Sequence, residues 1–252
     1  MVLPPKNRLL RKPRRFLLSW ASMSALFDPQ KTPVVAHDHH LPPVPLDRLT
    51  HQALVQRFAQ PPVWQPDVLA DRMVPDGPRV AASVLVPLVM RDQPTVLLTQ
   101  RQPHLKAHAG QISFPGGRSE PSDADAVHTA LREAQEEVGL HPDRVQVLGM
   151  LPTYRTISGF EVTPVVGAIH AGPDEWHQLA LQPDAGEVAE VFEVPLAFLM
   201  NPQYHQRRAV PMPGPSVEFW AMPWTHPDIA REYFIWGATA AMLRNLYRFL
   251  SA

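Results

Sequence analysis

Residues 110–140 read GQISFPGGRSEPSDADAVHTALREAQEEVGL and join a glycine pair to an acidic segment. The second half predicts a helix, because Ser122 can serve as N-cap and Asp125 can complete a capping box three residues later. Gly139 is the residue type expected where this helix ends. Apolar residues recur at three- and four-residue steps between these ends, at Val127, Ala130, Leu131, Ala134 and Val138. The pattern predicts an amphipathic helix with one buried face.

The other face of the predicted helix carries Glu133, Glu136 and Glu137. Residues spaced by three and four positions are neighbours on a helix, so these carboxylates repel one another. A hard divalent cation such as Mg²⁺ or Mn²⁺ removes that repulsion, because it prefers oxygen ligands. Arg132, one turn before Glu136, can also hold a carboxylate through a two-pronged hydrogen bond. The segment therefore indicates either a metal site or a solvated acidic face with one arginine pair.

Residues 132–140, REAQEEVGL, follow the run FPGG at 114–117, and together they resemble the Nudix box of the Nudix hydrolases. The resemblance implies an α/β Nudix fold, in which a mixed β-sheet is sandwiched between α-helices. It also implies a loop–helix unit that holds Mg²⁺ or Mn²⁺ against a diphosphate. The metal ligands that it implies are Glu133, Glu136 and Glu137.

The upstream segment narrows this resemblance to one branch of the family. Residues 97–101 read LLTQR, and Lys106, Gly110 and the FPGG run follow, which resembles the signature of coenzyme A pyrophosphatases. Gln102 and Lys106 stand where that signature usually has Ser or Ala, and Arg. The resemblance implies metal-dependent hydrolysis of the diphosphate of coenzyme A to 3′,5′-ADP and 4′-phosphopantetheine. Acyl-CoA is a further candidate substrate.

The resemblance also implies roles for single residues. Arg132, Glu133 and Glu136 are expected to be catalytic, and one carboxylate must take a proton from water. That base is either a box glutamate or Glu187, which starts a later predicted strand and could also be a plain exposed residue. Counted from the glycine pair, Asp123 is the acid nearest a further family glutamate, and its metal role stays open. The expected substrate contacts are Arg101, Lys106, His108, Gly116, Gly117 and Arg155.

Two alternatives remain open at the level of sequence. A Nudix hydrolase of another nucleoside diphosphate derivative, such as ADP-ribose, would keep the box and lack the upstream signature. A non-catalytic nucleotide-sensing domain would be expected to lose box carboxylates, and all three are present. The net charge of −1 provides no basic field for nucleic acid. The absence of cysteine is compatible with the cytoplasm, and a homodimer is expected by analogy alone.

Residues 1–45 begin with a basic run and are rich in proline, which predicts a disordered extension. Residues 1–27 also allow a secretory signal or a contact with an anionic membrane, although their apolar part is too short for stable membrane insertion. A disordered extension is the favoured interpretation of this segment, and translation from a start upstream of a natural one at Met23 is one origin for it. Residues 46–252 are predicted to form the Nudix hydrolase domain, with its core at about 79–200 and a helix from each end packed on it.

Alternating and apolar runs predict the strands of this domain. The first two are expected to pair as a hairpin, and Pro164 predicts a break in a later one. Residues 172–183 predict a polar loop. Helices are predicted from Asp47 or Thr50 and at 238–250. The predicted strands cover residues 80–89, 95–100, 111–114, 145–149, 160–168, 187–196 and 217–220.

Overall fold

The computed structural model of the protein describes residues 28–71, 74, 76–105, 108–170, 179–211 and 216–252. The expectations for residues 1–27, for Lys106 and for most of the predicted polar loop lie outside the described residues. The described helices are α1 His51–Ala59, α2 Ala126–Val138, α3 Leu196–Leu199 and α4 Gly237–Ser251, with short 3-10 helices at Leu46–Leu49, Pro142–Arg144 and Pro202–Tyr204. The described strands are β1 Val34–His37, β2 Val80–Met90, β3 Thr95–Arg101, β4 Ile112–Ser113, β5 Gly116–Arg118, β6 Val145–Met150, β7 Tyr154–Arg155, β8 Phe160–His170, β9 Val188–Pro195, β10 Gln206–Val210, β11 Val217–Thr225 and β12 Glu232–Trp236.

The larger sheet is mixed, as the resemblance implies. Strands β2 and β8 run parallel along their whole length, whereas the other described pairings in this sheet are antiparallel. The strand order is β4-β3-β2-β8-β6, with β5 paired to β2, β7 to β8 and β9 to β3. The predicted hairpin of β2 and β3 is confirmed, since Leu88 pairs with Val96 and Val89 with Thr95.

Strand β8 runs straight through Pro164, so the predicted break at this proline is wrong. Pro164 falls in the gap between the two antiparallel partners on that side. Strand β7 pairs with Glu161 and Val162, whereas β6 pairs only from Val165 onward. A proline cannot donate to a sheet ladder, and at this gap the ladder is already interrupted. The carbonyl of Pro164 still accepts a hydrogen bond from the N–H of Leu151 at 2.9 Å.

Alternation along β2 divides the core into two layers. Leu85 and Val89 pack with the apolar stripe of α2, including Ala134. Val86 and Leu88 belong to a second cluster, formed with α4 and with β11 and β12. One face of the larger sheet is therefore covered by a helix and the other by a helix and a second sheet. The sequence predicts the two helices but not the second sheet.

The second sheet is antiparallel, with the order β1-β10-β11-β12. Its edge strand β1 lies in the segment for which a disordered extension through residue 45 was predicted, and the structure corrects that expectation for residues 28–45. The guanidinium of Arg208 donates to the backbone carbonyls of Gln30, at 2.6 Å, and of Thr32, at 3.0 Å. Asp38 forms an ion pair with the buried Arg244 at 2.6 Å. Prolines in this segment shape an extended chain that still packs on the domain.

Helix α2 begins later than predicted. Its N-cap is Asp125, whose carboxylate accepts a hydrogen bond from the N–H of His128 at 2.8 Å, so the assignment of Ser122 as N-cap is wrong. The cause is tertiary, because the helix's own Arg132 and Thr129 bind the carboxylate of Asp123 and hold the preceding turn against the helix. The predicted end is confirmed at the left-handed Gly139. Of the two N-cap candidates for α1, Asp47 and Thr50, the structure has Thr50.

Candidate active site

The two glycines of the FPGG run form part of β5, which pairs with β2 and lies beside α2. Of this pair, only Gly116 has a positive φ, of 158°. A Cβ at Gly116 would lie 2.5 Å from the carbonyl oxygen of Ser83. A Cβ at Gly117 would lie 2.5 Å from the carboxylate atoms of Glu133. Backbone atoms therefore exclude a side chain at Gly116, whereas at Gly117 a side chain would displace the carboxylate of Glu133.

Glu137 is the most buried acid of the helix, with 7% of its side chain exposed. One carboxylate oxygen accepts a hydrogen bond from the N–H of Gly116 at 3.1 Å, and the other lies 3.4 Å from Nη1 of Arg101. Burial raises the pKa of Glu137 to about 7, against the lowering effect of these two partners. The two partners therefore do not offset the cost of burying the charged form of this carboxylate.

Glu133 lies on the same side of the helix, and burial raises its pKa as well. Its carboxylate is 3.1 Å from Nη2 of Arg132. The negative charges of Glu133 and Glu187 both raise the pKa of Glu137, so the three acids are close enough to repel one another. Negative charge is thus concentrated on one wall of the site.

Glu136 points elsewhere, although it adjoins Glu137 in sequence. Its side chain is 60% exposed and pairs with Nη1 of Arg132 at 3.0 Å, as the spacing of these two residues predicts. The same arginine forms a two-pronged hydrogen bond with Asp123, with both distances at 3.0 Å. This hydrogen bond to Arg132 holds the pKa of Asp123 well below its usual range. Asp123 therefore anchors the loop before α2 and faces a guanidinium.

Of the remaining predicted site residues, some line one cleft and others do not. Arg101, at the end of β3, lies between Glu137 and Glu187, with Nη2 3.8 Å from the Glu187 carboxylate. The buried Nε of Arg101 has no hydrogen-bond partner among the described residues. His108 lines the same cleft. Arg155 is exposed and does not line this cleft, and the predicted contact through Lys106 falls outside the described residues.

These groups border a cleft of about 560 Å³. An apolar wall of this cleft comes from β11, β12 and the first two turns of α4. The rings of Phe219 and Trp236 meet there edge to face, with their centroids 5.3 Å apart. Sequence analysis predicted part of β11 but not its place beside the acids, because alternation within one strand does not show which element it will face. The residues of this wall are Val217, Phe219, Trp236, Ala238 and Met242.

Asp71 is a further cleft residue that sequence analysis missed. The hydroxyl of Tyr154 donates to its carboxylate at 2.6 Å, and the N–H of Ile157 donates at 2.7 Å. Burial raises the pKa of Asp71. These bonds tie the segment before β2 to the loop that borders the cleft. Asp71 lies in an irregular stretch with several prolines, and no periodicity there marks it.

A divalent cation such as Mg²⁺ needs oxygen ligands that converge on one point. Among the described residues, no three His, Asp or Glu side chains converge closely enough to hold a metal ion on their own. Mg²⁺ is usually held by one or two carboxylates, with waters and substrate phosphates as the other ligands. Glu133 and Glu137 fit this pattern, because both are carboxylates with raised pKa values on the wall of one cleft.

Comparison with known proteins identifies the family. The NUDIX domain matches residues 78–213, which include the glycine pair, α2 and Glu187. A relative from Klebsiella pneumoniae, named uncharacterized Nudix hydrolase NudL, is 44% identical over 165 residues, covering 66% of this chain and 80% of its own. The protein of the same name from Escherichia coli K12 is 43% identical over the same shares. A solved MutT/nudix family protein from Enterococcus faecalis aligns with a TM-score of 0.40 and 17% identity, over 81% of this chain and 71% of its own.

The residues of the apolar wall, Val217 through Met242, lie beyond residue 213, where the match to the NUDIX domain ends. Within the described residues, no helix is both long and apolar enough to cross a bilayer. Nudix hydrolases act on small molecules and generally use divalent ions such as Mg²⁺ or Mn²⁺. The chain belongs to this family and is a Nudix pyrophosphohydrolase that acts on a nucleoside diphosphate derivative.

Proposed function

We propose that the protein hydrolyses the diphosphate of coenzyme A to 3′,5′-ADP and 4′-phosphopantetheine, with Mg²⁺ or Mn²⁺ as cofactor. The observation that carries this proposal is the position of Arg101. This residue belongs to the upstream signature that resembles coenzyme A pyrophosphatases, and its guanidinium lies between two cleft acids. Arg101 also lines the cleft with 26% of its side chain exposed, so its guanidinium can contact a phosphate oxygen.

In the described geometry, Glu133 and Glu137 would hold the cation. When bound, such an ion neutralises the charge that spreads over the phosphoryl oxygens during hydrolysis. Glu136 would have to leave its ion pair with Arg132 before it could join them. We therefore propose that Glu136 and Arg132 orient the helix and the loop before it. Of the three expected metal ligands, Glu133 and Glu137 remain.

Glu187 is the proposed proton acceptor. It lines the cleft, and half of its side chain is exposed, so a water molecule can reach it. As the water oxygen bonds to phosphorus, its proton passes to the Glu187 carboxylate and the bridging P–O bond breaks. The bridging oxygen leaves on the other phosphate. A general base of this kind contributes a factor of about 10² to 10⁴ to the rate.

The cleft is larger and more apolar than a diphosphate alone requires. A substrate with a bulky organic group on each phosphate would cover the acidic wall and the Phe219–Trp236 wall together. His108 lines the cleft on the segment that follows Arg101, and we propose that it and Lys106 contact a further phosphate of the substrate. Arg155 is exposed and does not line the cleft, so the structure does not support it as a substrate contact. Acyl-CoA remains within the proposal, because an acyl group adds apolar surface.

We also propose that the domain begins near residue 28, because β1 and the preceding turn pack on it. A cytoplasmic location is proposed on the lack of cysteine, which suits a reducing compartment. A homodimer stays a prediction.

A panel of substrates tests the proposal. Purified full-length protein is incubated with Mg²⁺ or Mn²⁺ and with coenzyme A, dephospho-CoA, ADP-ribose or diadenosine tetraphosphate, and the products are separated by chromatography. We expect the highest kcat/KM with coenzyme A, and a higher KM for dephospho-CoA because it lacks the 3′-phosphate. Preferred turnover of ADP-ribose would keep the family assignment and contradict the substrate. Binding of nucleotides without any turnover would favour a sensing domain.

A further inference from the structure

The side chain of Gln102 reaches the turn that carries Glu187. Its Nε2 donates to the carbonyl oxygen of Ala185 at 3.0 Å and to that of Val188 at 3.3 Å. The backbone N–H of Gln102 donates to the carbonyl oxygen of Glu187 itself at 2.8 Å. These hydrogen bonds attach the chain just before, at and just after the proposed proton acceptor.

The same turn is attached to α2 through Asp184. The N–H of Asp184 donates to the carbonyl oxygen of Glu137 at 2.9 Å. Its carboxylate accepts from the N–H of Gly186 at 2.7 Å, and its carbonyl accepts from the N–H of Glu187 at 3.0 Å. The turn therefore has two anchors, one on the helix with the metal-ligand candidates and one on Gln102.

The carboxylate of Glu187 has little to hold it apart from its backbone. Its one ion pair among the described residues is with Arg101, at the long distance of 3.8 Å. The pairing of β3 with β9 shifts register between Gln100 and Arg101, which directs the chain after β3 toward this turn. The position of the carboxylate thus depends on where the turn is fixed.

We propose that Gln102 is a positioning residue that fixes Glu187 for proton transfer, a proposal that rests on the function assigned to Glu187 above. Gln102 replaces the Ser or Ala usual in the upstream signature, and neither of those side chains is long enough to bridge two carbonyls of the turn. Without the amide, the carbonyls of Ala185 and Val188 lose their donor. A catalytic group displaced by about 1 Å can cost about 100-fold in rate, so a small loosening of the turn is measurable.

The first test follows the turn without any substrate. Gln102→Met keeps the length of the side chain and removes its donor, and Gln203→Met makes the same change on an exposed residue that does not line the cleft. Amide hydrogen exchange of the full-length proteins is measured by mass spectrometry. We expect faster exchange in peptides that cover residues 184–188 in Gln102→Met alone. Unchanged exchange in those peptides would overturn the proposal.

The second test measures hydrolysis of coenzyme A with Gln102→Met, Glu187→Gln and the double variant. We expect Gln102→Met to lower kcat about tenfold with KM within about twofold, and to cause no further loss in the Glu187→Gln protein. An equal further loss in that background would assign Gln102 a general structural role and overturn the proposal. Normal activity of Glu187→Gln would also overturn it. If the wild-type protein fails to cleave coenzyme A, the proposed function is wrong, and the exchange experiment still decides whether Gln102 fixes the turn.

Discussion

A methyl group at Gly117 would test how the carboxylate of Glu133 is placed. A Cβ at this position lies 2.5 Å from the carboxyl carbon and from both oxygens, whereas ordinary contact begins at 3.4 Å. The carboxylate must therefore retreat by about 0.9 Å, the difference between these two distances. Because a shift of about 1 Å in a catalytic constellation can cost about 100-fold, we expect Gly117→Ala to lower kcat/KM by about two orders of magnitude.

The fold should tolerate this change. Gly117 has no positive φ, so alanine meets no backbone strain there, and the atom that must move is the end of a flexible side chain. We expect the free energy of unfolding in urea to change by less than about 1 kcal/mol. Hydrolysis is measured over a range of Mg²⁺ concentrations, and the concentration for half-maximal rate should rise.

A double variant separates this cause from a general disturbance of the loop. When Glu133→Ala has removed the carboxylate, Gly117→Ala has nothing left to displace and should cause no further loss. A wild-type value of kcat/KM in Gly117→Ala would contradict a role for the position of the Glu133 carboxylate. So would an equal loss from Gly117→Ala in the presence and in the absence of the Glu133 carboxylate.

Three further changes probe other parts of the structure. Burial lowers the pKa of His205 to about 4. Because the pKa of histidine in the unfolded chain is about 6.5, the contribution of neutral His205 to stability is complete above pH 6.5 and is lost as the pH falls toward 4. We expect the free energy of unfolding in urea to fall by on the order of 3 kcal/mol over this range. Asp123→Asn should lower the thermal midpoint, because Arg132 loses its carboxylate partner, and should leave the Mg²⁺ requirement within about twofold. Trp236→Ala should raise the KM for coenzyme A about tenfold with kcat within about twofold, because it removes apolar contact with the substrate.

Each of these predictions has a result that contradicts it. The loss of stability below pH 6.5 should become smaller in His205→Gln, and an unchanged pH profile would exclude His205 as its source. A large rise in the Mg²⁺ requirement of Asp123→Asn would make Asp123 a metal ligand. A fall in kcat with unchanged KM in Trp236→Ala would show that this ring does not bind substrate before the reaction.

The features that could be predicted from sequence are those set by local spacing. The apolar stripe of α2, its end at Gly139 and the hairpin of β2 and β3 follow from periodicity and turn chemistry within a few residues. The start of α2 was wrong because a contact between Asp123 and Arg132, nine positions apart, decides how the preceding loop folds. The continuity of β8 through Pro164 likewise depends on which strands lie beside it.

The candidate site also combines features that local spacing predicts with features that depend on contacts between distant segments. Spacing alone treats Glu136 and Glu137 as equivalent acids of one face, yet one turns to Arg132 and solvent whereas the other is buried against Gly116. About 100° of helix rotation separates adjacent residues, so the packing of α2 on the sheet decides which acid enters the cleft. The apolar wall and Asp71 come from segments far away in sequence, and their approach to the acids has no local signal.

We expect the buried acids of α2 to form the centre for hydrolysis of coenzyme A. The most direct measurement compares the formation of 3′,5′-ADP from coenzyme A and Mg²⁺ by the wild-type, Glu137→Gln and Glu136→Gln proteins. We expect the wild-type protein to form this product, Glu137→Gln to lose nearly all activity, and Glu136→Gln to retain clearly more activity than Glu137→Gln. Full activity of Glu137→Gln, or no 3′,5′-ADP from the wild-type protein, would contradict it.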